Sequence, residues 1–337
     1  MKVLVVTNMY PTPQVPSLGI FVREHVTALE AQGVEVEVFF VDSRRRRSEY
    51  LRALPSLARR LRRGDFDIAH AQHTYSMLQV ALARLPSGLG APIVLTVHEG
   101  ESFLPRGARD PDADFLKRLV YSKRIKRWAV ARADHVVAVA PGLMEAISSS
   151  APVTVIPPGV DVDRFLPLPR EDCRTRLGLP LDQPVVFFPA SPERDFNKGY
   201  SEFQEAVARL GQPVRTVVGG GIHPDEMPVY MNAADVVVQA SRYEASPMVV
   251  KEALACERPL VSTDVGDVRA LCDGLPGCFV TPLDPDGLAG SIRAALALDG
   301  LAPGGRARIL ERGLTVPAVA RRYVDVYRET LEEGRSR

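Results

Sequence analysis

Two glutamates lie on either side of the position where the sequence predicts that a helix begins after an apolar run. The run Val236–Gln239 is followed by Glu244, and Glu252 lies in the helical segment beyond Pro247. Proline is favoured in the first turn of a helix, so Pro247 predicts that the helix begins there. The first N–H groups of a helix have no partner within it and, aided by the helix dipole, can bind an anion. The residues predicted to form this anion site are Ser246, Pro247, Met248 and Val249.

The two carboxylates lie on opposite sides of the predicted helix start. Glu252 would sit about 7 Å along the helix axis from that start, at 1.5 Å per residue. One carboxylate can then accept hydrogen bonds from a sugar and the other from a ribose, with a diphosphate between them. Either glutamate alone is explained as a solvated charge. The strand, loop and helix with both glutamates present favour a binding site for a nucleotide-sugar.

A diphosphate leaving group also needs cations, because negative charge develops on its oxygens in the transition state. Lys198 precedes the predicted helix Tyr200–Leu210, and Arg194 lies slightly earlier in the same loop. His98 ends the apolar run Ile93–Val97, and ligands bind beyond the carboxyl ends of parallel strands. Lys198, Arg194 and His98 therefore lie in loops where a ligand can bind, and resemblance to a known family implies that Lys198 and His98 are catalytic residues together with Glu244 and that Arg194 binds the donor.

These residues lie in sequences that resemble a known family. Glu244 and Glu252, with seven residues between them, are similar to the E-x7-E motif of retaining glycosyltransferases of the GT-B fold, family 4 in particular. The stretch from Glu252 to Gly266 is similar to the family's EAMACG-PVVATDVGG. Asn232–Asp235 resembles the stretch that precedes the motif. The resemblance is strong in the second half of the chain and extends more diffusely over nearly all of it.

The resemblance implies a role for each matching residue. Glu244 would contact the transferred sugar, Glu252 the ribose, Lys198 the diphosphate, and His98 the donor sugar or the acceptor hydroxyl. Gly19, at the entry to the first helix, is assigned to the donor side. The acceptor side is assigned to His70, His73 and Glu101.

The chain departs from the family pattern at several positions. Glu193 and Pro192 stand where an arginine is usual, so Arg194 is expected to take its place. The family's HG-D after the fourth strand is His98-Glu99-Gly100-Glu101 here. Ala245 replaces a glycine, and Pro158 replaces the asparagine of PNGVD.

Short apolar runs alternate with helical segments almost from end to end, which is typical of parallel sheets covered on both faces. The predicted fold is α/β of the GT-B type, with two Rossmann-like domains facing across a cleft and a C-terminal helix that crosses back to the first domain. The predicted domains are 1–163 for the acceptor, 164–315 for the nucleotide-sugar, and 316–337 for the returning helix. The predicted strands are Val3–Thr7, Glu35–Val41, Ile68–Ala71, Ile93–Val97, His135–Val139, Val153–Ile156, Val185–Pro189, Val214–Val218, Val236–Gln239, Leu260–Thr263 and Phe279–Thr281.

Composition excludes several classes of function. The formal net charge is +1, so the chain has no large overall positive charge that would attract nucleic acid. The first strand is not followed by the G-x-G-x-x-G motif that a dinucleotide-binding dehydrogenase needs. The four cysteines form no C-x-x-C pair, and no acidic cluster resembles a metal site, so the expected activity needs no metal and no cofactor beyond a UDP- or GDP-sugar substrate. With neither a signal peptide nor a long apolar segment, the chain is expected in the cytoplasm.

The basic segment 44–63 has two interpretations. Its leucines Leu51, Leu54, Leu57 and Leu61 follow one stripe, which favours a solvated helix packed on the core. Its arginines would alternatively contact anionic lipid at the inner face of the membrane.

Four other functions remain open at this point. The same fold could serve a sugar-nucleotide epimerase or a phosphorylase, and a two-domain protein could bind a sugar without catalysis. A glycoside hydrolase would instead use Glu244 and Glu252 as an acid–base pair, which requires them to flank one bond.

Overall fold

The computed structural model describes residues 1–42, 48–84, 91–98, 123–147, 149–192, 195–298 and 300–335. The chain forms two compact units. The first contains Met1–Pro157 and Val316–Arg337, and the second contains Pro158–Thr315. The sequence places the first boundary at residue 163, whereas contacts within the structure place it between two adjacent prolines, Pro157 and Pro158. Among the described residues, no helix is both long enough and apolar enough to cross a membrane.

Each unit is built on one parallel sheet. The first has the strand order β2-β1-β3-β4-β5-β6 and the second β11-β10-β9-β7-β8. Strands covered by helices on both faces read as nearly continuous apolar runs, which is why the sequence predicted all of them. The strands are β1 (Lys2–Thr7), β2 (Glu35–Phe40), β3 (Ile68–Gln72), β4 (Ile93–Val97), β5 (His135–Ala138), β6 (Val153–Val155), β7 (Val185–Phe188), β8 (Arg215–Val218), β9 (Val236–Gln239), β10 (Leu260–Thr263) and β11 (Cys278–Thr281).

Helices connect these strands. In chain order they are α1 (Ile20–Ala31), α2 (Glu49–Arg63), α3 (Thr74–Arg84), α4 (Lys123–Val130), α5 (Pro141–Ala146), α6 (Arg170–Leu177), α7 (Asp195–Lys198), α8 (Tyr200–Ala208), α9 (Met227–Ala233), α10 (Met248–Ala255), α11 (Val268–Cys272), α12 (Pro285–Leu296), α13 (Gly305–Glu311) and α14 (Val316–Arg335), with a 3₁₀ turn at Pro224–Glu226. Strand and helix alternate in both units, so each is Rossmann-like.

The last helix, α14, completes the core of the first unit. It packs against α1, where Tyr323 and Tyr327 join Val22 and Leu29 in one buried cluster. The chain thus leaves the first unit at Pro157 and returns to it at Val316. The crossing-back helix expected from the sequence is present, and it ends at Arg335.

The core of the second unit lies on both faces of its sheet. On one face Phe187 and Val237 pack against Leu254 of α10. On the other, Phe188 packs against Phe203 of α8 with ring centroids 4.8 Å apart. Both faces are therefore filled, and the polar groups of interest lie in the loops that follow the strands.

Candidate functional site

The loop between β9 and α10 carries the first glutamate of the motif. The helix begins at Met248, and Pro247 is its N-cap residue with an extended backbone at φ −68° and ψ 122°. The sequence had placed the helix start at Pro247 itself. That prediction is wrong by one residue, because the N-cap keeps non-helical torsions while its carbonyl already accepts the first helical bond.

The Glu244 carboxylate has two partners, the Lys198 ammonium and the Ser241 hydroxyl. The ammonium of Lys198 forms an ion pair with its carboxylate, and the Ser241 hydroxyl donates to the same oxygen at 2.9 Å. Both partners of the ion pair keep about a quarter of their side chains exposed, 26% for Lys198 and 21% for Glu244. The structure therefore brings together two of the predicted residues that lie 46 positions apart in the chain.

Two glycines allow the surrounding loops to pack closely. Gly199, directly after Lys198, has φ +67°, and a β-carbon there would lie 2.3 Å from the Ala240 carbonyl oxygen. Gly266 has φ +57°, and its β-carbon would lie 2.2 Å from the carbonyl oxygen of Ala245. Only a residue without a side chain fits at such positions. The loops before α8 and after β10 are thus in backbone contact with the Glu244 loop.

A buried lysine, Lys251, forms hydrogen bonds that hold the same loop in place. Lys251 has no exposed surface, and its ammonium donates to the Pro158 carbonyl at 3.0 Å and to the Ser246 hydroxyl at 2.5 Å. The carboxylate of Asp267 lies 3.7 Å away and accepts from Ser246. Burial lowers the pKa of Lys251 to about 8, against the opposing effect of Asp267. The sequence did not identify Lys251, although a lysine among the apolar residues of α10 was a visible signal.

The remaining donor-side residues lie along the start of α10. Ser246 and Pro247 are buried, whereas Met248 and Val249 are half-buried. Glu252 is half-buried on the second turn of the helix. Arg194, predicted beside Lys198, lies outside the described residues.

A cavity of about 430 Å³ borders the Glu244 loop. It opens where β9, β10 and β11 end, and Ser241, Thr263 and Pro282 are among its lining residues. Its two arginines are already paired, Arg242 with Glu202 and Arg269 with Asp264. The cavity is therefore a space of mixed polar and apolar lining beside the predicted site, and both arginines in its described lining are paired with carboxylates.

In the first unit, His98 follows β4 as predicted. It is half-buried, and its Nε2 lies 2.6 Å from the Gln72 side-chain oxygen. Its ring centroid is 4.7 Å from that of His73 and 4.9 Å from that of Phe21. Burial lowers the pKa of His98 well below its ordinary value, and the neighbouring histidines add to the effect. Both effects favour the neutral form of the His98 ring.

The two histidines assigned to the acceptor side have different environments. His70 is completely buried, with its ring nitrogens 2.6 Å from the Tyr327 hydroxyl and 2.7 Å from that of Thr96. Since both nitrogens are used inside the unit, His70 offers no group to an acceptor. His73 adopts φ 78°, an uncommon torsion for a residue with a side chain, and lies beside His98. Glu101 lies outside the described residues.

Gly19 is the N-cap residue of α1 and has φ 58°. A β-carbon there would lie 2.4 Å from the Met9 carbonyl carbon, so the loop after β1 passes directly against the helix entrance. The predicted residues therefore form two groups. Gly19, His98 and His73 belong to the first unit, and Lys198 and Glu244 belong to the second.

Only some of the side chains of the basic helix α2 are exposed to solvent. Leu57 and Leu61 are buried, but Leu51 is 70% exposed and does not belong to the core-facing stripe that the sequence suggested. Arg60 is buried and forms ion pairs with Glu37 and Asp65. The arginines that remain exposed are Arg52, Arg59, Arg62 and Arg63. Arg44–Arg47 lie outside the described residues.

In the described part of the chain, no cluster of His, Cys, Asp and Glu has an arrangement that could hold a metal ion. The four cysteines are free thiols, and three of them are buried.

Two family models match the chain in sequence. The model for Glycosyltransferase Family 4 matches residues 3–164, and the model for Glycosyl transferases group 1 matches residues 184–297. TuaC of Bacillus subtilis (strain 168), named as a teichuronic acid biosynthesis glycosyltransferase, is 28% identical, and the alignment covers 80% of this chain and 83% of TuaC.

Two solved structures are similar over nearly the whole chain. Sucrose-phosphate synthase from Thermosynechococcus elongatus gives a TM-score of 0.77 at 18% identity, with 98% of this chain and 99% of that chain covered. Anabaena HepE in complex with UDP and glucose gives a TM-score of 0.69 at 18% identity, with 98% and 100% covered. At these identities the likeness concerns the fold.

Proposed function

The chain belongs to the family 4 glycosyltransferases of the GT-B fold, and on that premise we propose that it transfers a sugar from a UDP- or GDP-sugar to a hydroxyl acceptor with retention of configuration. The observation that carries the proposal is the Lys198–Glu244 ion pair at the loop before α10. A cation, a carboxylate and the start of a helix are the groups that a nucleotide diphosphate and its sugar require.

In this proposal the ion pair exchanges partners when the donor binds. Lys198 moves from the Glu244 carboxylate to the diphosphate, and the backbone N–H groups of Met248 and Val249 bind the same phosphates. Glu244 is then free to accept hydrogen bonds from the sugar hydroxyls, with Ser241 still fixing one of its oxygens. Glu252 accepts from the ribose. Lys198 stabilises the charge that develops on the leaving group, the interaction with the largest expected effect on rate.

Retention follows from attack on the face that the diphosphate leaves. A bond forms between the acceptor oxygen and the anomeric carbon while the bond from that carbon to the phosphate oxygen breaks. The acceptor proton passes to the departing phosphate oxygen. Inversion would instead require a base on the opposite face. Proton NMR of the fresh product tests the proposal, because the anomeric coupling separates the two outcomes. An inverted anomer would refute retention and recast His98 as the base.

The donor can be identified without knowledge of the acceptor. A ligand that binds the native state raises the unfolding temperature, so UDP-, GDP-, ADP- and dTDP-sugars can be compared by thermal stabilisation. We expect UDP- or GDP-sugars to stabilise the protein. Stabilisation by a free sugar without any nucleotide would favour the binding-protein alternative. Donor turnover without an acceptor would favour an epimerase, and phosphate-dependent cleavage of a glycan would favour a phosphorylase.

We propose that transfer needs no divalent metal, since Lys198 and the helix start provide the positive charge at the diphosphate. Activity should persist in excess EDTA. Loss of activity in EDTA with recovery on adding Mg²⁺ would contradict this.

We also propose that the exposed face of α2 contacts anionic lipid on the cytoplasmic side of the membrane. The support is the set of exposed arginines beside an exposed leucine, since basic residues at a helix surface are attracted to anionic headgroups. The protein should sediment with phosphatidylglycerol vesicles and not with phosphatidylcholine vesicles. A variant with Arg59, Arg62 and Arg63 changed to serine should lose this binding, and unchanged binding would exclude α2 as the contact.

A further inference from the structure

A row of hydrogen bonds crosses the interior of the first unit and ends at His98. Tyr327 of α14 lies 2.6 Å from Nδ1 of His70. Nε2 of His70 lies 2.7 Å from the Thr96 hydroxyl and 3.3 Å from the side-chain nitrogen of Gln72. The oxygen of Gln72 lies 2.6 Å from Nε2 of His98. His70, Gln72 and Thr96 are buried, so water cannot replace these partners.

The chemistry of an amide fixes where the protons lie. The Gln72 nitrogen only donates, so its contact with His70 is a hydrogen bond when Nε2 of His70 accepts and the proton of that ring is on Nδ1. The Thr96 hydroxyl can donate to the same Nε2, and Tyr323, 3.3 Å away, can donate to Thr96. On its other side the Gln72 oxygen only accepts. Nε2 of His98 must therefore carry a proton.

We propose that Gln72 is a positioning residue that holds His98 in the neutral Nε2–H form and so leaves its Nδ1 as a hydrogen-bond acceptor. A substrate hydroxyl would then donate to His98 and could not accept from it. This use of His98 rests on the proposed function, whereas the protonation pattern rests on the hydrogen bonds within the first unit. Which ring nitrogen is protonated is commonly set by the partner of the other nitrogen.

Nothing in the sequence alone identified Gln72. It is the last residue of β3, and it meets His98 because β3 and β4 are adjacent parallel strands, with Gln72 paired to Thr96. The torsion of His73, at φ 78°, turns the chain immediately after Gln72 and places the His73 ring against His98. The end of β3 thus holds His98 from two directions.

The tautomer can be read directly by NMR. Histidine labelled with ¹⁵N gives long-range proton–nitrogen correlations that distinguish a protonated from an unprotonated ring nitrogen. The chain has six histidines, and His98→Gln identifies the signals of His98. We expect Nε2 protonated and Nδ1 unprotonated at neutral pH. A protonated Nδ1 on a neutral His98 would overturn the proposal.

Two variants of Gln72 and one control variant separate positioning from packing. Gln72→Leu removes the acceptor and should shift His98 away from the Nε2–H form, whereas Gln72→Glu keeps an acceptor and should preserve it. Gln79→Leu removes another buried amide from the same unit, which bonds the Tyr50 carbonyl, and should leave the His98 signals unchanged. Unfolding curves establish that each variant is folded. An unchanged tautomer in folded Gln72→Leu would overturn the proposal.

Kinetics provide the second measurement. Gln72→Leu should lower kcat by about 10-fold, less than the roughly 100-fold or more that a proton-transfer group itself contributes, because His98 is displaced and not lost, while KM for the donor changes less. Gln72→Glu should retain more of the wild-type kcat than Gln72→Leu. Equal losses in the two variants would overturn the proposal. The NMR measurement of the tautomer needs no substrate. If His98 is in the Nε2–H form but the protein transfers no sugar, the proposed function is wrong and the positioning role of Gln72 still holds.

Discussion

Lys198 has two possible partners, the Glu244 carboxylate that it contacts in the structure and the diphosphate that we propose it binds. Replacing it with alanine should therefore harm catalysis much more than stability, because a partly exposed ion pair contributes little to folding. We expect Lys198→Ala to lower turnover by about 100-fold or more. Steady-state kinetics measure the change.

Two comparisons sharpen this experiment. Lys2→Ala breaks another ion pair, the one with Glu35, and should leave turnover unchanged. Arg194→Ala should reduce turnover in the same direction as Lys198→Ala but by less. If Arg194→Ala lowers turnover more than Lys198→Ala does, the assignment of Lys198 to the diphosphate is wrong.

Glu252 provides a test of nucleotide binding that does not depend on catalysis. It is half-buried on the second turn of α10, where its carboxylate would accept from the ribose. Glu252→Ala should weaken nucleotide affinity by about 1–3 kcal/mol, the range for lost hydrogen bonds to a charged group. Calorimetry with the nucleotide measures it. Glu205→Ala, on the outside of α8, is the matched control, and equal affinity in both variants would remove Glu252 from the site.

Lys251 makes stability depend on pH. Its pKa is about 8 in the folded chain and near its ordinary 10.5 when unfolded. Between these values the unfolded chain binds more protons, so the contribution of Lys251 to the free energy of unfolding rises with pH. Below pH 8 both states are protonated and the contribution is constant.

We therefore expect the gap in unfolding free energy between wild type and Lys251→Met to widen from pH 8 to pH 10.5. Urea unfolding at several pH values measures this gap. The variant should be the less stable protein at pH 7, because the Asp267 carboxylate and the Pro158 carbonyl lose their buried donor. A gap that is constant with pH would show that the ammonium is not titrating in this window.

Among the elements, the loop after β10 has little room for an added side chain. Gly266 has a left-handed backbone and lies against the Ala245 carbonyl, so Gly266→Ala should cost about 1–3 kcal/mol of stability and displace the Glu244 loop. Gly290 within α12 has open space around it, and Gly290→Ala should instead stabilise by up to about 1 kcal/mol. Thermal unfolding of the two variants checks the opposite signs. Destabilisation of equal size in both would contradict the packing argument.

The strands were predictable because each is an apolar run that is buried on both faces, as Val236–Gln239 illustrates. Helix α3 was not predicted. Its buried residues include Ser76 and Gln79, so its inner face does not have the apolar periodicity that identifies an amphipathic helix. A buried polar helix of this kind is recognised only once its neighbours are known.

For the molecule as a whole, the sequence indicated charged groups of the candidate site but not the residues that support them. Glu244 and Lys198 stay predictions as site residues, and they were identified because they resemble motifs of the family in loops that follow a strand or precede a helix. Gln72 and Lys251 were missed, since their roles depend on partners from other segments, His98 in one case and Pro158 in the other. Local patterns indicate where ligands can bind, whereas the contacts that orient a side chain exist only after the chain has folded.

The return of α14 to the first unit has a consequence for synthesis on the ribosome. Residues 158–315 form the second unit, and all of them emerge before α14 does. Until then the first unit lacks Tyr323 and Tyr327, so Val22, Leu29 and the buried His70 remain without their cover. Domains usually fold in the order in which they are translated. Here the unit whose translation starts first is completed only after the second unit has been made, and the nascent chain carries an open apolar surface until α14 leaves the exit tunnel.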